Sequence, residues 1–275
     1  MNKKKTWPIA WLLAAWLLLP KPCLQAEHSV SERTIAMGNV IGCSVSTLAR
    51  GLIQGKVHGL KDAARLLAYG AASGYGFYHA KKQAAAGHAL AGLLLTNLSA
   101  SVVDNISSGE GPLSYLGFPL PLFCLRVATP LARRPGALLN FAFSPRDLIN
   151  LLQALGKSDR VMLRDGLLAF EANHPLQWNV RGWTYGIYPT VVKGKPGSVF
   201  RHETVHVLQG LQLIALSPEP FLKGHRRREG SMKIVSFCGF RLHSLALAND
   251  LVLTLLLPHE KNWKEVEARS LVVPE

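Results

Sequence analysis

The chain has 275 residues, a formal charge of +14, and 48 % hydrophobic against 17 % charged residues. That length suits one domain of ordinary size or two small ones, and the apolar content excludes a disordered chain. Four scattered cysteines (Cys23, Cys43, Cys124 and Cys238) form no CxxC pair, which excludes a cysteine-rich zinc module and a dense disulfide scaffold.

Lys3, Lys4 and Lys5 precede an uncharged apolar run over residues 7–19, which Pro20, Lys21 and Pro22 break. The run is too short to cross a bilayer comfortably, and Ala26 offers a small residue for cleavage, so residues 1–26 read as a secretory signal peptide. An uncleaved anchor is the alternative. Cleavage after Ala26 would remove four lysines and no acid, leaving +10. Pro22 before Cys23 does not suit a lipoprotein site. The expectation is export to the periplasm or cell envelope, with no nucleic-acid partner; the remaining charge favours anionic envelope surfaces or acidic partners. In that oxidising compartment three mature cysteines allow one disulfide and leave one thiol over.

Residues 44–107 show a helical pattern rich in small residues. Gly51, Gly55 and Gly59 recur every four residues, as do Gly70 and Gly74, a spacing that lets another backbone approach one helix face. Residues 66–80 and 83–103 lack Asp, Glu, Lys and Arg, with Lys81 and Lys82 between them. Two soluble helices packed through glycines are expected, with a membrane hairpin as the alternative. The shortness of the first stretch, and His88, Asn97 and the serines of the second, count against the hairpin.

Pro112, Pro119, Pro121 and Pro130 make residues 109–135 suited to irregular or edge strands, followed by a strand over 137–143. Ser144, Pro145 and Asp147 start a helix that reaches about Leu155 and stops at Gly156. Residues 160–170 read as a hairpin turning at Asp165-Gly166, and 180–192 as another strand or hairpin. Residues 198–216 form the clearest helix; further helical stretches are expected over 232–257 and 261–272. The fold class is therefore α+β, with a helical region over 27–108, a small β-rich region over 109–197 and a helical region over 198–275.

The clearest helix contains His202-Glu203-Thr204-Val205-His206, an HExxH motif. Its i, i+4 spacing puts both imidazoles on one face, where two nitrogens can bind one Zn²⁺, with Glu203 near enough to take a proton from bound water. Phe200, Val205, Val207 and Leu208 are expected to seat the helix in a core. The extended HExxHxxGxxH pattern fails, because Gln209 and Gln212 stand where its glycine and third histidine belong. With no thiolate pair present, a third ligand must be sought among Glu219, Glu229, Asp250, Glu260, Glu265 and Glu267. Glu219 and Glu229 have easy solvated roles, whereas Glu265 and Glu267 lie in a short terminal helix that could cross the motif helix.

HExxH followed some sixty residues later by a helical ExxA resembles the gluzincin group of zinc metallopeptidases. The string from His202 to Gln209 is similar to the HExxHxxQ of exported bacterial proteins of that kind. The resemblance implies a zincin-like site with Glu265 as third ligand, Glu267 as runner-up, and Ala268 as the small residue that lets the helices approach. The related ExxAD pattern would place a supporting Asp where this chain has Arg269. It also implies peptide hydrolysis, with Glu203 as general base and zinc as the cofactor. Tyr185, Tyr188, His225 and His243 are candidates to stabilise the oxyanion, and the strand from Trp183 onward could pair with an extended peptide substrate.

The alternative from another class is a non-catalytic envelope or membrane-associated protein with a structural or vestigial zinc site. The basic run at 223–228 reads as a solvated loop or a contact for anionic lipid. Trp178 and Trp183 suit a core or interface, and His58, His79 and His88 suit surface or satisfied core positions. No phosphate loop, dinucleotide fingerprint or GxSxG occurs.

Overall fold

The computed structural model describes residues 30–120, 123–132, 139–174, 181–195, 197–217, 235–240 and 263–272. The expected signal peptide, the basic run, Trp178, His225 and His243 lie outside the described residues.

Three helices open the described chain: α1 (Glu32–Ile53), α2 (Leu60–Ala85) and α3 (Ala89–Ser107). α1 begins twelve residues earlier than the periodicity suggested, because the Ser31 hydroxyl caps it by accepting the Thr34 N–H. The two glycine series behave differently. Gly70 and Gly74 lie where α2 crosses α1, and a Cβ on either would come within 2.7 Å of an α1 Cα. The other series runs off the helix: α1 ends at Ile53, Gly55 turns with φ +66°, and Gly59 precedes α2. The apolar stretch over 83–103 is likewise broken by Gly87 at φ +92°. Deep among the three helices the Arg50 guanidinium pairs with Asp104 and donates to the Ala215 carbonyl at 2.7 Å. Cys43 is free and buried nearby, and burial pushes its thiol up to about 12.

Among the described residues only α3 is long and apolar enough to cross a membrane, and 56 % of its apolar window is buried inside the protein. Its outer face carries Leu90, Leu94 and Leu98, all exposed, and α1 shows a similar row of Met37, Ile41 and Val45.

The first sheet contains β1 (Tyr115–Leu120), β2 (Phe123–Ala128), β3 (Leu139–Phe143) and β8 (Val235–Phe240), in that order. Among the described residues β1 lies at one edge of this sheet, which lets Pro119 sit in it without breaking a ladder on both sides. β8 corrects the helix expected over 232–257: residues 235–240 instead pair parallel with β3. Their aromatic and β-branched content suits a strand, and the helical apolar spacing was misleading there. The rest of that stretch lies outside the described residues.

The second sheet has the order β4-β5-β7-β6, from β4 (Arg160–Arg164), β5 (Leu167–Ala172), β6 (Gly182–Tyr185) and β7 (Tyr188–Val192). Its first hairpin turns at Asp165 and Gly166, both with positive φ, as the Asp-Gly pair predicts. Helix α4 (Pro145–Gly156), capped by the Ser144 hydroxyl, covers one face through Leu151 and Ala154. The other face is covered by α5 (Gly197–Leu216), the HExxH helix. α5 is the centre of the molecule: its Phe200, Val205, Val207, Leu208 and Leu213 share one core with residues of α2, β5, β7 and α6 (Trp263–Leu271).

The close crossing of α1 and α2 is testable by thermal unfolding. Gly74→Ala should lower Tm by an overpacking cost of about 1–3 kcal/mol. Gly38→Ala, in a part of α1 with open space around it, should leave Tm unchanged or raise it by roughly 0.5–1 kcal/mol of helix stability. Equal effects would contradict the crossing.

Candidate metal centre

One helical turn brings His202 and His206 together with Nε2 atoms 3.0 Å apart and rings nearly perpendicular. From α6, Glu265 reaches across: its Oε2 lies 3.1 Å from His202 Nε2 and its Oε1 3.0 Å from His206 Nε2. Ala268, fully buried, occupies the same core as α5. The two imidazole nitrogens thus face one carboxylate, each meeting a different oxygen of it, and one ligand atom from each of the three residues lies within 4.8 Å of the others. Two nitrogens on a tetrahedral zinc with bonds of 2.0–2.1 Å stand about 3.3 Å apart, so the imidazole pair is within a few tenths of an ångström of that spacing. The two imidazoles and one carboxylate also suit zinc chemically, and this cluster could hold a metal ion.

Glu267, two residues from Glu265, points elsewhere: Lys81 donates to it at 2.6 Å and Gln209 at 2.7 Å. Arg269 lies 3.9 Å from Glu265 on the half-exposed side of α6, where the related pattern has Asp. Glu203 is buried beside the triad, and burial pushes its carboxyl up, partly offset by the charges of His206 and His202. The Thr184 hydroxyl donates to Glu203 Oε2 at 2.7 Å. Next to it, Gly182 leaves room that a side chain would take, since a Cβ there would stand 2.7 Å from Glu203 Oε1.

Strand alternation separates the remaining candidates from this site. Gly182 and Thr184 face α5, so Trp183 and Tyr185 face the opposite way. Tyr188, paired with Tyr185 across the hairpin, shares that face and packs edge-on against Phe170. Tyr185 and Tyr188 therefore belong to the core under α4 rather than to the oxyanion side of the site. His58, His79 and His88 lie outside the cluster. Four buried polar residues that the sequence gives no role at the site are brought by the fold to the back of the triad: Gln209, Gln212, Lys81 and Asn39. The available signals are local to Gln209: the i, i+3 step from His206 and its place in the HExxHxxQ string.

Burial disfavours charge on both Glu265 and His206, yet it is outweighed, for Glu265 by hydrogen bonds from His202 and His206, and for His206 by its hydrogen bond to Glu265 and the nearby charge of Glu203. The carboxyl of Glu265 is held well below the usual range, and the His206 imidazole is raised above its ordinary value. In metal-free protein the His206 contribution is fully present below 6.5 and is lost as pH rises through the raised value. The Glu265 contribution is present above 4.5 and is lost as pH falls through the lowered one. A metal ion held by His206 would compete with its proton, so any rise in Tm that added zinc produces should grow between about pH 6 and about pH 8. A zinc increment that is flat or shrinks over that interval would count against ligation by His206.

No family model, curated protein or solved structure matches the chain. Its chemistry is read from the site itself.

Proposed function

We propose that the chain is an exported zinc metallopeptidase of gluzincin type, acting in the periplasm or cell envelope on peptide or protein substrates. The observation that carries this reading is the convergence of His202, His206 and Glu265 beside a buried glutamate. The side chain of His202 is 22 % exposed, so solvent and substrate can reach the triad from that side. A bound zinc ion would supply Lewis acidity and a water acidified towards neutrality.

The protein's own groups do the rest. His202, His206 and Glu265 hold the ion. Glu203 accepts a proton and returns it to the leaving amine. Thr184 occupies Oε2 of that glutamate, which leaves Oε1, beside Gly182, as the oxygen that handles the proton. Burial raises the Glu203 carboxyl and so brings it closer to the proton affinity a base needs near neutrality. β6 passes over Glu203 and is the edge of its sheet among the described residues, so an extended peptide could add to it as a further strand.

A second reading is an envelope-bound protein whose zinc site is structural or vestigial. It is favoured by the exposed rows Leu90, Leu94, Leu98 and Met37, Ile41, Val45, which suit a membrane surface or an apolar partner.

Purified protein should hold one zinc per chain, and His202→Ala should lose it. Glu203→Gln should keep the metal and lower peptide hydrolysis by about 10²- to 10⁴-fold. Zinc in both proteins with no hydrolysis by the wild type would favour the second reading. Hydrolysis unchanged in Glu203→Gln would remove the proposed mechanism.

A further inference from the structure

Behind His206 lies a chain of hydrogen bonds in which each partner fixes the next. The Gln209 amide nitrogen has two acceptors, Glu267 Oε2 at 2.7 Å and the Lys264 carbonyl at 3.1 Å. The amide therefore cannot turn around, and its oxygen faces His206 Nδ1 at 2.8 Å. An amide oxygen only accepts, so that nitrogen of His206 must carry the proton. The other nitrogen, Nε2, is the one in the triad.

The far end of the chain is charged and fully buried. Lys81 of α2 donates to Glu267 Oε1 at 2.6 Å, Asn39 Oδ1 at 2.7 Å and Gln212 Oε1 at 3.0 Å. Three acceptors match the three protons of an ammonium group. Asn39 of α1 donates to Glu267 Oε1 and to the Ile35 carbonyl, both at 2.9 Å, and accepts from Gln212 at 3.0 Å. Every polar atom of these five side chains for which the chemistry demands a partner has one. A lone ammonium or carboxylate at this depth would be strongly destabilising, and this degree of matching is what makes a buried pair tolerable.

We infer that Lys81, Glu267 and Gln209 are positioning residues for the metal centre, holding His206 as the Nδ1–H tautomer with Nε2 turned to the ion. This rests on the metal-binding reading above. It takes the place of the missing acid at Arg269: the support for the histidine comes from Gln209, relayed to Glu267, two residues before Arg269, and to a lysine of the N-terminal helices. Those helices thereby form part of the metal site.

The experiment combines zinc affinity, measured by competition with a chelator, with ¹⁵N NMR of the His206 ring. Wild-type protein should carry a proton on Nδ1 of His206 when zinc-loaded, and on both ring nitrogens when metal-free, because Glu265 Oε1 then faces Nε2 at 3.0 Å. Gln209→Leu should weaken zinc binding by about 10- to 100-fold and release the other tautomer. The charge-conserving exchange Gln209→Glu with Glu267→Gln keeps an acceptor towards His206 and a donor behind it. It should bind zinc more tightly than either single variant, a rescue that simple packing would not give. Wild-type protein with Nδ1–H but no zinc affinity would sustain the positioning of the ring and remove the metal reading. A wild-type ring with no proton on Nδ1 overturns the inference. So does zinc binding by Gln209→Leu as tight as that of the wild type, or an exchange variant no better than its parents.

Discussion

A helix enclosed by protein must find a partner for each polar group it carries, and α5 carries several along one buried length. Glu203, His206, Gln209 and Gln212 lie among the apolar residues that seat this helix, with His202 at the edge of solvent. Leaving one such group unpaired costs about 1–3 kcal/mol, and more if it is charged. The surrounding elements are arranged to prevent that. α6 brings Glu265 and Glu267, β6 brings Thr184, α2 brings Lys81, and α1 brings Asn39. Apolar burial holds these elements against α5, but the polar matching fixes their register.

This constraint divides α6 between two tasks. Glu265 and Glu267 are two residues apart on a helix and so point in different directions. One turns to the histidine pair and the other to Lys81 and Gln209. Neither could exchange roles without reversing the helix face. Likewise Lys81 and Lys82 are neighbours with opposite fates: the first is buried in the network, and the second makes a half-exposed pair with Glu32.

Much of the site could be read in the sequence because its signals are local. HExxH depends on a single turn of one helix, and the Asp165-Gly166 hairpin and the Ser144 cap depend on four residues each. The third ligand was reached through the resemblance of ExxA, since the meeting of α5 with α6 is a long-range contact. What stayed hidden has the same cause. Lys81 reads as a solvated break between apolar stretches until tertiary packing places it against Glu267. Gln212 reads as a departure from a histidine pattern, when it binds Lys81 and Asn39 of the N-terminal helices, and Gln209 reads as one letter of a motif, when it joins His206 to Glu267. β8 was misread because its pairing with β3 outweighs the helical spacing of its apolar residues. Tyr185 and Tyr188 had suitable chemistry, but the pleat turns them to the α4 face.

The central claim is that two imidazoles from one helix and one carboxylate from another bind zinc. X-ray absorption at the zinc edge of the protein as purified tests it most directly. The account predicts two imidazole nitrogens and oxygen donors at about 2.0–2.2 Å, with no sulfur. A zinc shell containing thiolate, or one with a single imidazole, would contradict it.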